Sequence, residues 1–89
     1  MDKKIILGSL AMDLKRAAIG YHRGSNLMAK KFLQEAIKRK KEYKKNDLKS
    51  YLVKILNRIE ELNFLPNDEK AENALMYSTL IQNFILHNS

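Results

Sequence analysis

The residues of this chain that could do chemistry crowd into one short stretch, AIGYHRGSN at residues 18–26. It holds two of the three glycines, one of the two histidines, an arginine, a tyrosine and a serine. Ser25 lies near His22, the pairing that nucleophilic catalysis uses, but no acid is placed behind the histidine to orient it. A second reading is anion binding. If a helix starts here, its free backbone N–H groups at Gly24, Ser25 and Asn26, with Arg23 and Lys30 nearby, form the kind of N-terminus that holds a phosphate. Neither G-x-x-x-x-G-K-[ST] nor G-x-G-x-x-G occurs, so the glycines belong to no nucleotide-binding loop of those types.

Arg16 and His22 stand as R-x5-H, which resembles the R-x4–6-H motif of HEPN ribonucleases, themselves small helical bundles. The resemblance covers two residues of 89. It would imply RNA cleavage at a site shared across a dimer. In that family the motif lies late in the chain, whereas here it falls in the first helix with its two members about 120° apart around the axis. His22 and His87 are the only histidines, and at opposite ends of a bundle of 20-residue helices they would stand about 30 Å apart, too far to share a metal. With no cysteine, thiolate ligands and disulfides are both excluded. Glu60, Glu61, Asp68, Glu69 and Glu72 gather at one helix junction and read as dipole and solubility features. The expectation is a non-catalytic protein with no cofactor and no metal.

Four helical patterns must position these residues. At about 100° per residue, Ile6, Leu7, Leu10, Leu14, Ala17, Ala18 and Tyr21 fall on one side of a helix from near Lys3 to near His22. From Asn26 to Lys44, Met28, Phe32, Leu33, Ala36, Ile37 and Tyr43 form a second stripe, opposite Lys30, Lys31, Gln34, Lys38, Lys41 and Lys45. Asn46 or Asp47 can cap a third helix running to about Asn63, with a stripe of Leu48, Tyr51, Leu52, Ile55, Leu56, Ile59 and Leu62. Pro66 forces Leu65 out of helical geometry, and Asn67, Asp68 and Glu69 suit the start of a fourth helix that runs to about His87. Its core side takes Ala71, Ala74, Tyr77, Ser78, Ile81, Phe84 and Ile85, while Met76, Leu80 and Leu86 lie outside that stripe. The pattern predicts one all-α domain over 1–89, an antiparallel four-helix bundle running up-down-up-down with short loops.

Gly20 and Gly24, followed by the capping residues Ser25 and Asn26, predict a break between the first two helices. Leu14 and Phe32 are nevertheless 18 residues apart, five whole turns, so the stripe would also stay in phase along one unbroken helix. Both arrangements are open at this point, with the hairpin the expectation.

The net charge of +7 is unevenly placed. Residues 25–45 carry eight basic and two acidic side chains, whereas 66–89 carry one and three. Lysine outnumbers arginine 13 to 4, which suits a solvated face better than bidentate phosphate recognition. The one-sidedness still predicts an electrostatic footprint for nucleic acid or an acidic protein, carried by Lys30, Lys31, Lys38, Lys41 and Lys45, with Arg23, Ser25 and Asn26 at the helix start. The aromatic residues fall in the core stripes and leave no stacking platform; Phe64 alone sits in a loop.

Ile5, Met12 and Ile19 recur every seven residues on the far side of the first helix, a ridge for which a monomer has no use and which predicts a homodimer. No segment reaches the roughly 20 apolar residues of a membrane span, and the eight-residue run Ile5–Met12 ends at Asp13 with no clear small-residue cleavage site, so a cytoplasmic protein is expected. The reading is a small basic binding module that meets nucleic acid or another acidic surface through its second helix. The alternative is a homo-oligomeric adaptor whose apolar ridges carry the function and whose charge only aids solubility.

Overall fold

A computed structural model of the chain describes residues 3–42 and 50–87. These form an all-α, four-helix bundle: α1 (Lys3–Arg23), α2 (Asn26–Glu42), α3 (Ser50–Ile59), continued by a 3₁₀ segment (Glu60–Phe64), and α4 (Asn67–His87). Each helix runs against its neighbours. Gly20 meets Ala29 and Asp13 meets Arg39 across α1 and α2, Lys40 meets Glu60 and Gln34 meets Asn63 across α2 and the 3₁₀ segment, and Ala11 meets Ser78 and Tyr21 meets Lys70 across α1 and α4. The direction is therefore up-down-up-down, with α1 packed between α2 and α4. Among the described residues no helix is long and apolar enough to cross a membrane.

The stretch AIGYHRGSN at residues 18–26 holds the turn between α1 and α2. Gly24 has φ +80°, in the left-handed region open to glycine. The Gly24 N–H donates to the Tyr21 carbonyl at 3.3 Å and the Ser25 N–H to the Gly20 carbonyl at 2.8 Å, the paired bonds of a Schellman cap. His22 and Arg23 occupy the last turn of α1, where cations are favoured. Ala29 N–H then donates to the Ser25 carbonyl, which makes Ser25 the N-cap of α2. The single long helix is thereby excluded, since its ladder would need an α-helical Gly24. Replacing Gly24 with alanine forces a side chain into the left-handed region and is expected to cost about 1 kcal/mol or more. In an unbroken helix the same change would stabilise by a similar amount, so the sign of the shift in melting temperature checks the hairpin.

The α1 stripe is buried as its spacing predicts, from Ile6 to Tyr21, and Leu10, Leu14 and Ala17 are fully enclosed. On α3 and the 3₁₀ segment Leu52, Ile55, Leu56, Ile59 and Leu62 are buried. Leu48, Tyr43, the side chain of Tyr51 and the cap at Asn46 or Asp47 lie outside the described residues. The α-helix ends at Ile59 rather than Asn63, because the last turn tightens to 3₁₀, a common way to use the final carbonyls. Leu65 is extended (φ −90°, ψ 154°), as the following proline requires. The Pro66 carbonyl, not Asn67, accepts the first bond of α4, from Lys70 N–H at 2.8 Å.

The expectation for α2 needs correction. Met28 is 55% exposed, and Phe32 only packs against the margin of the core. The buried line is Ala29, Leu33, Ala36, Ile37 and Lys40. Its cause is the crossing with α1: a β-carbon built on Gly20 would come within 2.8 Å of the Ala29 β-carbon. So close an approach turns Ala29 to the centre of the contact and rotates Met28 out.

Among the described residues three polar side chains are buried in this core, and each is satisfied. Asp13 accepts from Arg39 Nε at 2.8 Å and lies 3.6 Å from Arg16 Nη1. Lys40 reaches Glu60 Oε1 at 3.2 Å, its stem covering apolar surface. The Ser78 hydroxyl donates to the Ala11 carbonyl at 2.7 Å. Tyr21 is buried near the hairpin end beneath the Lys70 ammonium, 5.2 Å from the ring centre, and burial pushes its phenol above the usual 10.0.

Candidate functional site

The basic face is built by the burial of its opposite side. Once Ala29, Leu33, Ala36 and Ile37 face inward, the 3.6-residue period sends Lys30, Lys31, Lys38 and Lys41 to solvent. Arg39 and Lys40, also on α2, are not part of that face, because they are committed to Asp13 and Glu60. Lys41 lies 3.9 Å from Glu60 at the edge of the band, too long for a strong bond. Among the described residues Lys30, Lys31 and Lys38 have no ion-pair partner. Lys45 lies outside the described residues.

The 3₁₀ segment runs along one border of this face, tied to it by the Gln34 side-chain N–H donating to Asn63 Oδ1 at 3.1 Å. The next residue, Phe64, is 87% exposed. Phe64 closes the 3₁₀ segment rather than sitting in a loop; its failure to join any apolar period is visible in the sequence, whereas the tie of its neighbour Asn63 to α2 is not.

At the hairpin, Arg23, Ser25 and Asn26 are all exposed. The amides of Gly24 and Ser25 are engaged in capping α1, however, so they do not present N–H groups to an anion as the spacing predicts. What remains for an anion is the first turn of α2 itself.

The outer side of α1 carries Ile5, Met12 and Ile19 at 56, 42 and 42% exposure. Ile19 sits between two hollows. One, of about 380 Å³, lies between α1 and α4 and is lined by Ile19, His22, Arg23, Ala71, Glu72 and Leu75. The other, of about 160 Å³, lies between α1 and α2 and is lined by Arg16, Arg23, Met28 and Phe32 among others. Arg16 and His22 therefore line different hollows on opposite flanks of α1. Arg16 is drawn toward α2 by Asp13 and by the Phe32 ring, 5.6 Å from its guanidinium carbon, so the two are not brought to one reaction centre within the chain. Among the described residues no group of three or more histidine or acidic side chains is placed to hold a metal ion.

No protein-family model matches the chain, and neither the curated proteins nor the solved structures contain a match.

Proposed function

We propose that the protein is a non-catalytic binding module that engages nucleic acid through the outer face of α2. The observation that carries the reading is the separation on one helix of paired from unpaired cations: Arg39 and Lys40 serve the fold, while Lys30, Lys31 and Lys38 are left to solvent. Lys31 and Lys38 are seven residues apart on nearly the same line, about 10 Å along the axis, a separation a phosphate backbone can meet with two contacts. Phe64, the residue after Asn63 in the 3₁₀ segment, adds an exposed apolar ring, a stacking surface for an unpaired base, which favours single strands over duplex. The setting we infer is the cytoplasm, where a chain without cysteine loses nothing to reduction.

The Lys31→Gln, Lys38→Gln double variant tests this. The wild-type chain is expected to retard single-stranded RNA or DNA in a gel at low salt. Its log affinity should fall as log salt rises, and the double change should lessen that slope by about 1.4, at about 0.7 per single-strand phosphate contact. Both residues lie away from the core, so the fold should be retained. Failure of the wild type to retard any nucleic acid at low salt would end the reading.

A second reading is favoured by the Ile5, Met12 and Ile19 ridge: the chain also pairs with itself through α1 as a homodimer. A polyanion or an acidic protein would then meet two basic faces.

A further inference from the structure

The hollow of about 160 Å³ between α1 and α2 collects cations that the fold leaves unsatisfied. Arg16 and Arg23 line it from α1, Ser25 from the turn, and Met28 and Phe32 from α2. The two arginines stand two turns apart on one face of α1, about 10 Å along the axis, within the joint reach of their side chains. Asp13 is the acid beside Arg16, and it is already committed. Its Oδ2 accepts from Arg39 Nε at 2.8 Å, whereas its Oδ1 lies 3.6 Å from Arg16 Nη1, beyond hydrogen-bond distance. One carboxylate thus faces two guanidinium groups. Arg16 also lies over the Phe32 ring, 5.6 Å from its centre, a contact that positions the charge without consuming an N–H donor. Among the described residues the exposed Arg23 has no ion-pair partner; Glu72 lines the neighbouring hollow with it, but not within ion-pair distance.

We propose that this hollow holds a phosphomonoester, the terminal phosphate of a strand bound along α2, a proposal that rests on the reading of α2 as a nucleic-acid face. A phosphomonoester carries about two negative charges at neutral pH and three acceptor oxygens, whereas a phosphate inside a strand carries one charge. The planar fork of arginine grips such a group with paired N–H donors, while lysine acts on it as a point charge. The fold separates the two kinds of cation accordingly. Lys31 and Lys38 lie on the outer line of α2, and the two arginines lie beside it. Phe32 follows Lys31 in the chain and is turned about 100° from it around the helix, toward α1, so the hollow adjoins the lysine line. The lysines then meet the phosphates along the strand, and the arginines meet its end. A free nucleoside monophosphate offers the same group, and the experiment separates the two sources.

One single-stranded oligonucleotide, labelled internally, is titrated with the chain at low salt, carrying a phosphate at its 5′ end, at its 3′ end or at neither. A terminal phosphate is expected to tighten binding by about tenfold over hydroxyl ends. Arg16→Gln and Arg23→Gln should each remove most of that preference, yet leave the affinity for hydroxyl ends within about twofold, since neither touches the lysine line. Asp13 keeps Arg39 in the first variant, so the fold is retained. Arg23→Lys should not restore the preference, because charge without the fork is insufficient. Lys31→Gln with Lys38→Gln should weaken binding to all three strands and keep the ratio between them. Equal affinity for phosphate and hydroxyl ends, or a preference that survives both arginine variants, overturns the pocket while leaving the α2 face standing. Binding of no strand, together with calorimetric binding of a nucleoside monophosphate that Arg23→Gln abolishes, overturns the α2 reading and leaves the hollow as a site for a free phosphate ester. Binding of neither overturns both.

Discussion

Gly20→Leu is expected to lower the stability by about 3 kcal/mol, at the upper end of the usual range for overpacking. The first atom added already lies 2.8 Å from the Ala29 β-carbon, 3.0 Å from its α-carbon and 3.2 Å from its backbone nitrogen. Backbone cannot swing aside as a side-chain tip can, so α1 and α2 must part, and Leu33 and Ala36 lose contact with α1 behind them. Helix propensity alone predicts the opposite, a gain of about 1 kcal/mol on replacing a mid-helix glycine with alanine. For a domain of this size 3 kcal/mol corresponds to a fall in melting temperature on the order of 15 °C. A melt followed by circular dichroism checks it. Combining the milder Gly20→Ala with Ala29→Gly should recover part of what Gly20→Ala loses, because the clash is between those two positions.

Leu14→Ala is expected to cost about 2–5 kcal/mol, measured by urea unfolding. Leu14 is fully enclosed midway along α1, the helix that packs on both α2 and α4, so the surrounding side chains have little freedom to collapse into the space. Against a total stability of roughly 5–13 kcal/mol for 89 residues, the variant should sit near the edge of folding. Lys15→Ala, one residue along and exposed, should stay within about 0.5 kcal/mol of wild type.

These two changes mark what sequence could and could not reveal. Leu14 was legible because large apolar residues at 3.6-residue spacing demand burial wherever the partner lies, and the same logic found the stripes of α3 and α4. The turn at Gly24 was legible from glycine and capping chemistry, though periodicity alone admitted a continuous helix. Gly20 and Ala29 were not legible as a crossing. A small residue carries almost no hydropathy signal, and its meaning depends on which helix approaches it, so the apolar stripe takes in Met28 and passes over Ala29. Asp13 and Lys40 were obscured for a related reason: a charged residue is read as exposed unless its counter-ion is known, and Arg39 and Glu60 lie 26 and 20 positions away. On the candidate binding face, the outward lysines follow from period, but the engagement of the Gly24 and Ser25 amides and the tie between Asn63 and Gln34 require the fold.

The hydroxyl of Ser78 on the carbonyl of Ala11 joins positions 67 residues apart, and it is one instance of the whole contact between the first helix and the last. The α1–α2 hairpin closes through two residues and can form locally on a microsecond timescale. The docking of α4 on α1, unlike its contacts with α3 and the 3₁₀ segment, joins positions as far as 67 residues apart and bears the larger closure entropy. On a ribosome the flank of α1 that carries Ala11 and Ala18 stays bare until α4 has been translated and has emerged. A nascent chain therefore has no route to its complete core by stages, and loss of the C-terminal helix would uncover the one helix against which the other elements are assembled.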